Sequence, residues 1–238
     1  DQELQVARFR DYCPNGLQVE GRPEIQSIVS GVTASIDLLQ AAIAAKADAI
    51  LVHHGYFWRN EDVRIVGVKY RRIGLLMAQQ INLLAYHLPL DSHPQFGNNT
   101  LLGKKLGFIE TGRFGGQDIM IHGELSRAIT LKTLAERISR TLLRKPQVIG
   151  GADTIIRRIA WCTGGAQNYF EAAVQQDVDA YITGEISEHN VHLARETGIA
   201  FIAAGHHATE RYGVQALGDH VAQKFSIQHQ FIDIDNPV

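Results

Sequence analysis

The chain has 238 residues, 45% of them hydrophobic and 20% charged, which is the composition of a globular protein and excludes a disordered one. Lys and Arg number 23 against 25 Asp and Glu, a formal charge of −2, so no global basic field draws nucleic acid to it. No run of about 18 apolar residues occurs, and Cys13 and Cys162 are the only cysteines. We therefore expect a cytoplasmic protein with no membrane span and no disulfide framework.

The first third of the chain predicts a parallel sheet with helical crossovers. Residues 27–32 predict a strand, 36–46 a helix and 47–52 a buried strand. A helix over 71–80 and a strand over 81–86 continue this pattern. Apolar runs of this kind are typical of parallel strands that are covered on both faces.

The middle of the chain gives weaker signals. Residues 93–99 predict a loop from their Pro, Gly and Asn content, and 108–125 are Gly-rich and predict irregular structure. Residues 131–141 predict a helix, and 144–152 predict a loop. Near the end, residues 208–224 predict another helix.

The second half repeats the plan of the first. Residues 28–32, 41–43 and 48–51 match 159–163, 172–174 and 179–182 at a constant offset. The same alignment sets Glu185 opposite His54. An internal duplication is the simplest account.

A further match sets residues 81–86 beside 200–205, each followed directly by a histidine, His87 or His206. In both cases an acid comes four residues later, Asp91 or Glu210. The sequence therefore predicts an α/β fold whose duplicated βαβ-containing halves form one composite domain over 1–238. Its lobes are expected at about 1–112 and 152–238, with a connector over 113–151 and no large inserted domain.

Histidines and acids at the ends of predicted strands indicate a metal site, because ligands of parallel sheets bind beyond the carboxyl ends of the strands. The candidate ligands are His53, His54, Asp91, His206 and Glu210. This set is too large for one catalytic zinc and suits two metals about 3.5 to 4 Å apart. Its nitrogen and oxygen donors suit Zn, Mn, Fe, Co or Ni.

The spacing of these residues along the chain predicts where their side chains point. His206 and Glu210 lie one helical turn apart and share a helix face. His53 and His54 point to opposite faces of a strand unless the chain bends at Gly55. His87 is either a sixth ligand or a donor that orients Asp91.

Several other features have two interpretations. Glu185 is either a proton carrier near the metals or a surface glutamate in an ion pair. Residues 163–166 (TGGA) either cradle phosphate or form a tight packing turn, and the aromatic residues 56–58 either stack on a nucleobase or belong to the core. The remaining isolated histidines are expected to be satisfied polar residues: His93, His122, His220 and His229.

At residues 53–58 (HHGYFW), 87–91 (HLPLD) and 205–210 (GHHATE) the chain resembles the NIF-three-like dinuclear-metal family. These proteins are catalogued as GTP cyclohydrolase I type 2 homologs, and the likeness is to their bacterial YbgI-like branch. Residues 12–21, 161–165 and 182–188 match as well, so the resemblance spans nearly the whole chain.

The resemblance implies two divalent metal ions on the five ligands already named. It also implies a toroidal homohexamer, a trimer of dimers, with the metal sites facing an inner cavity. The family name implies hydrolytic opening of the imidazole ring of a purine nucleotide such as GTP, with release of formate.

The leading hypothesis is therefore a dinuclear-metal-dependent hydrolase in which a metal-activated hydroxide attacks the nucleotide, and Glu185 or His87 moves protons. Hydrolysis of the phosphate is open to the same site. The alternative from another class is a ring-shaped scaffold or nucleic-acid-associated protein whose metals are structural, although the net charge gives this no support. A redox role for the metals is a third hypothesis.

Overall fold

The structure is a computed structural model that describes residues 1–238. The strands are β1 (Gly16–Val19), β2 (Ser27–Thr33), β3 (Ala49–His54), β4 (Asn82–Ala85), β5 (Phe108–Phe114), β6 (Met120–Thr130), β7 (Gln147–Ile149), β8 (Ile155–Trp161), β9 (Ala180–Thr183), β10 (Ala200–Ala203) and β11 (Gln228–Phe231). The α-helices are α1 (Ile36–Ala44), α2 (Gly67–Gln79), α3 (Leu88–Ser92), α4 (Asn98–Leu106), α5 (Leu131–Leu142), α6 (Phe170–Val174), α7 (Glu188–Thr197) and α8 (His206–Phe225). None of these helices is long and apolar enough to cross a membrane.

The chain forms two compact units, each with its own sheet. Unit 1 comprises Asp1–Leu90 and Arg211–Asp235, and unit 2 comprises Asp91–Glu210 and Asn236–Val238. The two sheets confirm the predicted α/β class. Residues 113–151, expected as a connector between lobes at 1–112 and 152–238, supply β6, α5 and β7 to the sheet of unit 2. The lobe bounds and the single-domain organisation stay predictions.

Unit 1 has a five-stranded sheet in the order β1-β4-β3-β2-β11. Strands β2, β3 and β4 are parallel and are connected by helices α1 and α2, as the apolar runs predict. Helix α1 begins where the Ser35 side chain accepts a hydrogen bond from the Leu38 amide, which satisfies one of the unpaired donors of the first turn. The helix then buries Leu38, Leu39 and Ala42 against the sheet core.

Unit 2 has a six-stranded sheet in the order β5-β6-β8-β9-β10-β7. Strands β8, β9 and β10 are parallel, and the antiparallel strands β6 and β7 lie on either side of them. The core of the unit contains a cluster of stacked and edge-on rings from Phe170, Tyr181 and Phe201. Burying each large ring contributes about 1.5–3 kcal/mol to folding.

The duplication predicted from sequence is visible in the pairing of the strands. In unit 1, Ala49 of β3 pairs with Ile28 of β2 and Asn82 of β4, and in unit 2, Ala180 of β9 takes the same place between Ile159 and Ala200. In each unit, the third parallel strand also pairs with an antiparallel edge strand: β1 lies beside β4, and β7 lies beside β10. The two halves therefore share a βαβαβ plan and its register.

An aspartate before the middle strand is repeated with its hydrogen bonds. The Asp48 carboxylate accepts the backbone amides of Gln26 and Ser27 at 2.9 and 3.1 Å. The Asp179 carboxylate accepts those of Arg157 and Arg158 at 2.8 and 2.7 Å. Each aspartate thus fixes the start of the neighbouring parallel strand, and this explains why it recurs at the same offset.

The prediction of irregular structure over residues 108–125 is wrong. Strand β5 and the first part of β6 pair there as an antiparallel hairpin. Gly115, at a φ of +78°, lies in the connection, and a Cβ on Gly123 would meet the Ile109 carbonyl oxygen at 2.1 Å. Gly115 permits the turn, and Gly123 permits the close approach of the two strands. A high glycine content is therefore compatible with a hairpin and does not by itself indicate a loop.

Two predicted loops also contain regular structure. Residues 144–152 include β7, a three-residue edge strand, and 93–99 run into helix α4, whose N-cap is Gly97. Asn98 and Asn99 are buried in the first turn of α4, where their side chains donate hydrogen bonds to Asp91 and to the Ile119 carbonyl. The asparagines thus make tertiary hydrogen bonds, which their general preference for turns does not indicate.

Replacing Asp48 or Asp179 with Ala removes the acceptor of two backbone amides. We expect each variant to lose about 1–3 kcal/mol of unfolding free energy, since hydrogen bonds to a charged acceptor contribute that much. Urea denaturation followed by circular dichroism measures this loss. Asp153→Ala, at an exposed position, is the control and should stay within about 0.5 kcal/mol of the parent. Equal stabilities for all three variants would contradict the assigned role.

Candidate metal centre

His53 and His54 are the last two residues of β3, at the carboxyl end of the parallel strands of unit 1. His53 is fully buried and His54 is half-buried. Their ring centroids lie 4.6 Å apart, so the two imidazoles contact each other although the residues are adjacent in a strand. Gly55 follows in a tight position, where a Cβ would meet the side chain of Gln18 at 2.2 Å.

Hydrogen bonds orient both rings. His53 Nδ1 lies 2.8 Å from the carbonyl oxygen of Tyr86, which can only accept, so Nδ1 carries the hydrogen and Nε2 the lone pair. His54 Nδ1 lies 3.1 Å from the hydroxyl of Thr33. A backbone carbonyl on the far nitrogen is the usual support of a metal-binding histidine.

His87 follows β4 and joins this pair. Its ring centroid lies 5.0 Å from that of His53 and 5.8 Å from that of His54. One ligand nitrogen from each of the three rings lies within 4.8 Å of the others. Unit 1 therefore contains a group of three imidazoles, which we call the histidine group: His53, His54 and His87.

Asp11 is a residue of this site that the sequence reasoning missed. Its carboxylate lies 2.7 Å from His87 Nδ1, and it also accepts bonds from Tyr12, Asn15 and Leu88. Burial opposes its ionisation, but the hydrogen bonds, led by that of His87, outweigh burial and lower the pKa of Asp11. The residue directly precedes the 12–21 motif, which is the one signal that could have directed attention to it.

Cys13 lies near Asp11 and His87, with ligand atoms of the three within 4.8 Å of one another. Burial and then the charge of Asp11 raise the pKa of the Cys13 thiol to about 12. The residue is a protonated thiol at neutral pH and is a poor metal ligand in that form.

Of the three aromatic residues after His54, Tyr56 and Trp58 pack inside unit 1 and Phe57 is exposed. The Tyr56 ring is buried and its hydroxyl donates to the Ala34 carbonyl at 2.8 Å. The Trp58 ring stands edge-on to His87, with 4.9 Å between centroids, and contacts His54. This favours the core interpretation of these residues over a platform for a nucleobase, since the faces near the histidines are already in use.

Asp91 lies in α3 and belongs to unit 2. Pro89, which predicted a turn, lies in the first turn of this short helix, where proline is tolerated. The Asp91 side chain is nearly buried, and its Oδ1 accepts hydrogen bonds from Asn98 Nδ2 at 2.9 Å and Thr163 Oγ1 at 3.3 Å. A buried carboxylate of this kind requires donors or a cation to offset its desolvation.

His206 and Glu210 share a face of the first turn of α8, as their spacing predicts. His206 Nε2 lies 3.1 Å from Glu210 Oε2, and His206 Nδ1 lies 2.6 Å from Glu185 Oε1. Glu210 is 2% exposed. Glu185 also accepts a hydrogen bond from Gln167 at 3.2 Å, which helps to hold its carboxylate next to His206 Nδ1. We call Asp91, His206 and Glu210 the acidic group.

The turn at residues 163–166 packs against this group. The amides of Thr163, Gly164 and Ala166 donate to Asn99, Thr209 and Thr183, so these donors are already used inside unit 2. This favours the packing-turn interpretation over a phosphate cradle.

Gly164 permits a close approach to the candidate ligands. At a φ of +68°, a Cβ on this residue would meet Glu210 Oε1 at 2.0 Å and His206 Nε2 at 3.1 Å. The absent side chain therefore lets the turn lie directly against these two side chains. The imidazole and carboxylate donors of the two groups fit divalent ions that accept mixed nitrogen and oxygen ligands.

Cys162 is buried in unit 2 close to the same carboxylates. Burial, followed by the charges of Asp91 and Glu210, raises the pKa of this thiol. The two carboxylates thus act on one thiol, and the thiol stays protonated.

The isolated histidines have polar partners of their own. His93 accepts the amides of Gln95 and Phe96, and His122 bonds with Thr111. His229 lies between Ser30 and Asp219, and His220 lies 3.9 Å from Glu3. His93, His122 and His229 are therefore satisfied polar residues, as expected.

Gly164→Ala should damage the acidic group directly. The positive φ costs an L-residue about 1–2 kcal/mol, and the new methyl overlaps Glu210. We expect the unfolding free energy to fall by more than that backbone penalty. Gly165→Ala is the matched control, because its Cβ would meet nothing closer than 3.5 Å. If the two variants unfold at the same urea concentration, Gly164 has no special function.

The stability of the metal-free protein should depend on His206. Burial favours the neutral ring, but Glu210 and Glu185 outweigh it and raise the pKa of His206 to about 9. An unfolded histidine titrates near 6.5. The stabilisation is therefore complete below about pH 6.5 and is lost as the pH rises through about 9.

Urea unfolding of chelator-treated protein at pH 6, 7.5 and 9 measures this dependence. Glu185→Gln removes one of the two charges that face His206, so its profile should be flatter. A wild-type profile without a decline across this range would refute the assigned charge state.

Known proteins are similar to this chain over its whole length. A model of the family described as Duf34/NIF3 (NGG1p interacting factor 3) matches residues 1–237. A Pseudomonas aeruginosa protein named "GTP cyclohydrolase 1 type 2 homolog" is 55% identical over 240 residues, covering 100% of this chain and 95% of the relative. A protein of the same name from Neisseria meningitidis serogroup B is 52% identical over 237 residues, with coverage of 100% and 95%.

Solved structures are similar over the whole chain. The protein ybgI, whose function is described as unknown, is 46% identical with a TM-score of 0.95, covering 100% of this chain and 96% of that one. A Thermus thermophilus protein is 30% identical with a TM-score of 0.90 and the same coverage. The family model, the relatives and the histidine and acid motifs agree, and the chain belongs to the Duf34/NIF3 family.

Proposed function

We propose that this protein is a metal-dependent hydrolase that holds two divalent ions on His53, His54, Asp91, His206 and Glu210. The observation that carries the proposal is the pair of ligand groups, one in each unit, at the carboxyl ends of duplicated parallel strands. Imidazoles and carboxylates in this number exceed what one zinc uses and match a two-metal site. Zn, Mn, Fe, Co and Ni all suit such donors.

Two bound ions supply Lewis acidity and lower the pKa of water toward neutrality. The residues of the chain prepare the ligand atoms for this. The Tyr86 carbonyl fixes His53 with Nε2 as its lone-pair nitrogen, and Glu185 holds His206 through Nδ1. A carboxylate on the far nitrogen raises the basicity of a ligand histidine and fixes its ring. Glu185 therefore also positions His206 in this proposal.

The substrate class comes from the relatives. Several carry the name GTP cyclohydrolase 1 type 2 homolog. From that name we propose that the substrate is a purine nucleotide such as GTP. The reaction is hydrolytic opening of the imidazole ring. One water adds to the carbon between the two nitrogens and breaks one C–N bond, and a second water hydrolyses the resulting formamide, so that the carbon leaves as formate and both nitrogens remain as amines. His87 and Glu185 are the side chains proposed to carry protons during this step.

We also propose that the chain assembles with copies of itself into a hexamer, a trimer of dimers. Several large apolar side chains in and just before α2 are exposed in the single chain: Val63, Ile65, Val66, Val68 and Tyr70. Val63 is 89% exposed. A contiguous run of this kind is typical of a protein interface.

Metal analysis tests the site. Wild-type protein should contain about two divalent ions per chain by plasma mass spectrometry. Glu210→Ala and His54→Ala each remove a ligand and should retain less than about half of that content. Glu188→Ala, at an exposed position, and His122→Ala are matched controls and should keep the wild-type content.

Native mass spectrometry of each sample reports whether the assembly is unchanged. Wild-type protein that folds normally and holds under half an equivalent after supplementation with zinc or manganese would refute the two-metal site.

Turnover tests the reaction. Metal-loaded protein incubated with GTP should release formate, detected with formate dehydrogenase, and assembled Glu210→Ala should release none. Phosphate release without formate would move the assignment to phosphate hydrolysis. Salt-dependent binding of DNA with no turnover would favour the scaffold instead.

A further inference from the structure

The segment of residues 11–18 is held against the carboxyl end of the parallel strands of unit 1. The Asn15 side-chain oxygen accepts the His87 amide at 2.8 Å, just after β4. The Gln18 side chain accepts the Tyr56 amide at 2.7 Å and donates to the Tyr56 carbonyl at 3.2 Å. These contacts to the residues that follow β3 and β4 fix the segment beside the histidine group.

Tyr12 is the aromatic residue of this segment, and it is 49% exposed. Its ring centroid lies 6.4 Å from that of His87, with an angle of 66° between the ring planes. Tyr56, on the other side of the segment, is only 4% exposed. Tyr12 is therefore an aromatic ring beside the histidine group that solvent reaches, and a ligand from solvent can contact it.

Arg59 holds both the backbone and the ring of Tyr12. The Tyr12 carbonyl accepts the Arg59 amide at 2.6 Å. The Arg59 guanidinium lies over the Tyr12 ring, with its Cζ 5.6 Å from the ring centroid, and its Nη2 donates to the Asp11 carbonyl at 2.8 Å. A guanidinium over an aromatic face makes an attractive cation–π contact. The Tyr12 amide also donates to Asp11 Oδ1 at 2.6 Å, so the residue is anchored on both sides of its Cα.

An exposed ring that is anchored in this way suits stacking against a nucleobase. Every base has a π-face, so stacking on an aromatic side chain needs no particular pattern of donors and acceptors. A tyrosine has only two side-chain torsions, so little conformational entropy is lost when a ligand packs on it. The contacts with Arg59 reduce this loss further, because the ring is held before the ligand arrives.

We propose that Tyr12 is the stacking platform for the purine base of the nucleotide, and that Arg59 is the residue that positions it. The inference rests on the proposed function and adds to it the residue that binds the base. Neither side chain takes part in holding the metal ions. Because Tyr12 adjoins His87, a base stacked there lies beside the histidine group, as attack on its imidazole ring requires.

Tyr12→Ala is the informative variant, since it removes the ring, and Tyr12→Phe is its matched control, since it keeps the ring and loses only the hydroxyl. Arg59→Ala removes the cation–π contact and the bond to the Asp11 carbonyl. Arg59→Lys keeps a cation that can lie over the ring. Two ligands separate the base from the phosphates. The first is 7-deaza-GTP, in which carbon replaces N7 so that the ring cannot open by hydrolysis, and the second is inorganic tripolyphosphate, which has no base.

Titration calorimetry of the zinc-loaded protein gives the affinity for each ligand. We expect Tyr12→Ala to bind 7-deaza-GTP about 10- to 100-fold more weakly than the wild type, which is the usual contribution of one base stacked on an aromatic side chain. Its affinity for tripolyphosphate should be unchanged, and Tyr12→Phe should match the wild type with both ligands. Arg59→Ala should weaken only the binding of 7-deaza-GTP, and Arg59→Lys should restore part of that loss.

Wild-type affinity of Tyr12→Ala for 7-deaza-GTP would overturn the platform, and so would an equal loss of affinity for both ligands, because that is the effect of general damage to the site. A wild-type protein that does not bind 7-deaza-GTP would overturn it as well. Unchanged binding in Arg59→Ala would overturn the positioning role of Arg59.

Formate release from GTP tests the proposed function separately. Binding of 7-deaza-GTP that depends on Tyr12, in a protein that releases no formate from GTP, would refute the hydrolytic reaction and support the platform. Formate release by Tyr12→Ala with the KM of the wild type would overturn the platform and leave the hydrolytic reaction in place.

Discussion

Burial of carboxylates in unit 2 is the constraint on which this account depends. Asp91 is 6% exposed and Glu210 is 2% exposed, and an ionised carboxylate in such a place is costly unless donors or cations face it. Asn98 and Thr163 donate to the first, and the imidazole of His206 faces the second. The absent side chain at Gly164 lets the turn at residues 163–166 lie directly against Glu210. Divalent cations offset such burial far better than neutral donors do.

The duplicated architecture explains how the ligand groups come about. Parallel strands end at one edge of a sheet, so a residue placed just after one strand meets residues placed after its neighbours. In unit 1 this brings His53, His54 and His87 together, and in unit 2 it brings Glu185 and His206 together. The repeated aspartates Asp48 and Asp179 hold the starts of the neighbouring strands, at the opposite end of each sheet from the candidate ligands.

The sequence predicted the parallel strands and the residues at their ends, because both signals are local: an apolar run of strand length and a histidine or acid that follows it. It did not predict the partners of those residues. Asp11 has no regular spacing to His87, and Gly164 shows its function only when Glu210 is folded against it. The hairpin of β5 and β6 was missed for a related reason, since Gly123 is needed for a close strand contact that composition cannot reveal. Local patterns thus predict the candidate ligands, and tertiary contacts show which residues orient them.

Anomalous diffraction from crystals of zinc-loaded protein, collected at the zinc absorption edge, tests the central claim most directly. The account predicts two anomalous peaks per chain, about 3.5 to 4 Å apart, with ligands from His53, His54, Asp91, His206 and Glu210. A single peak, or peaks whose ligands are other residues such as His93 or His122, would contradict it.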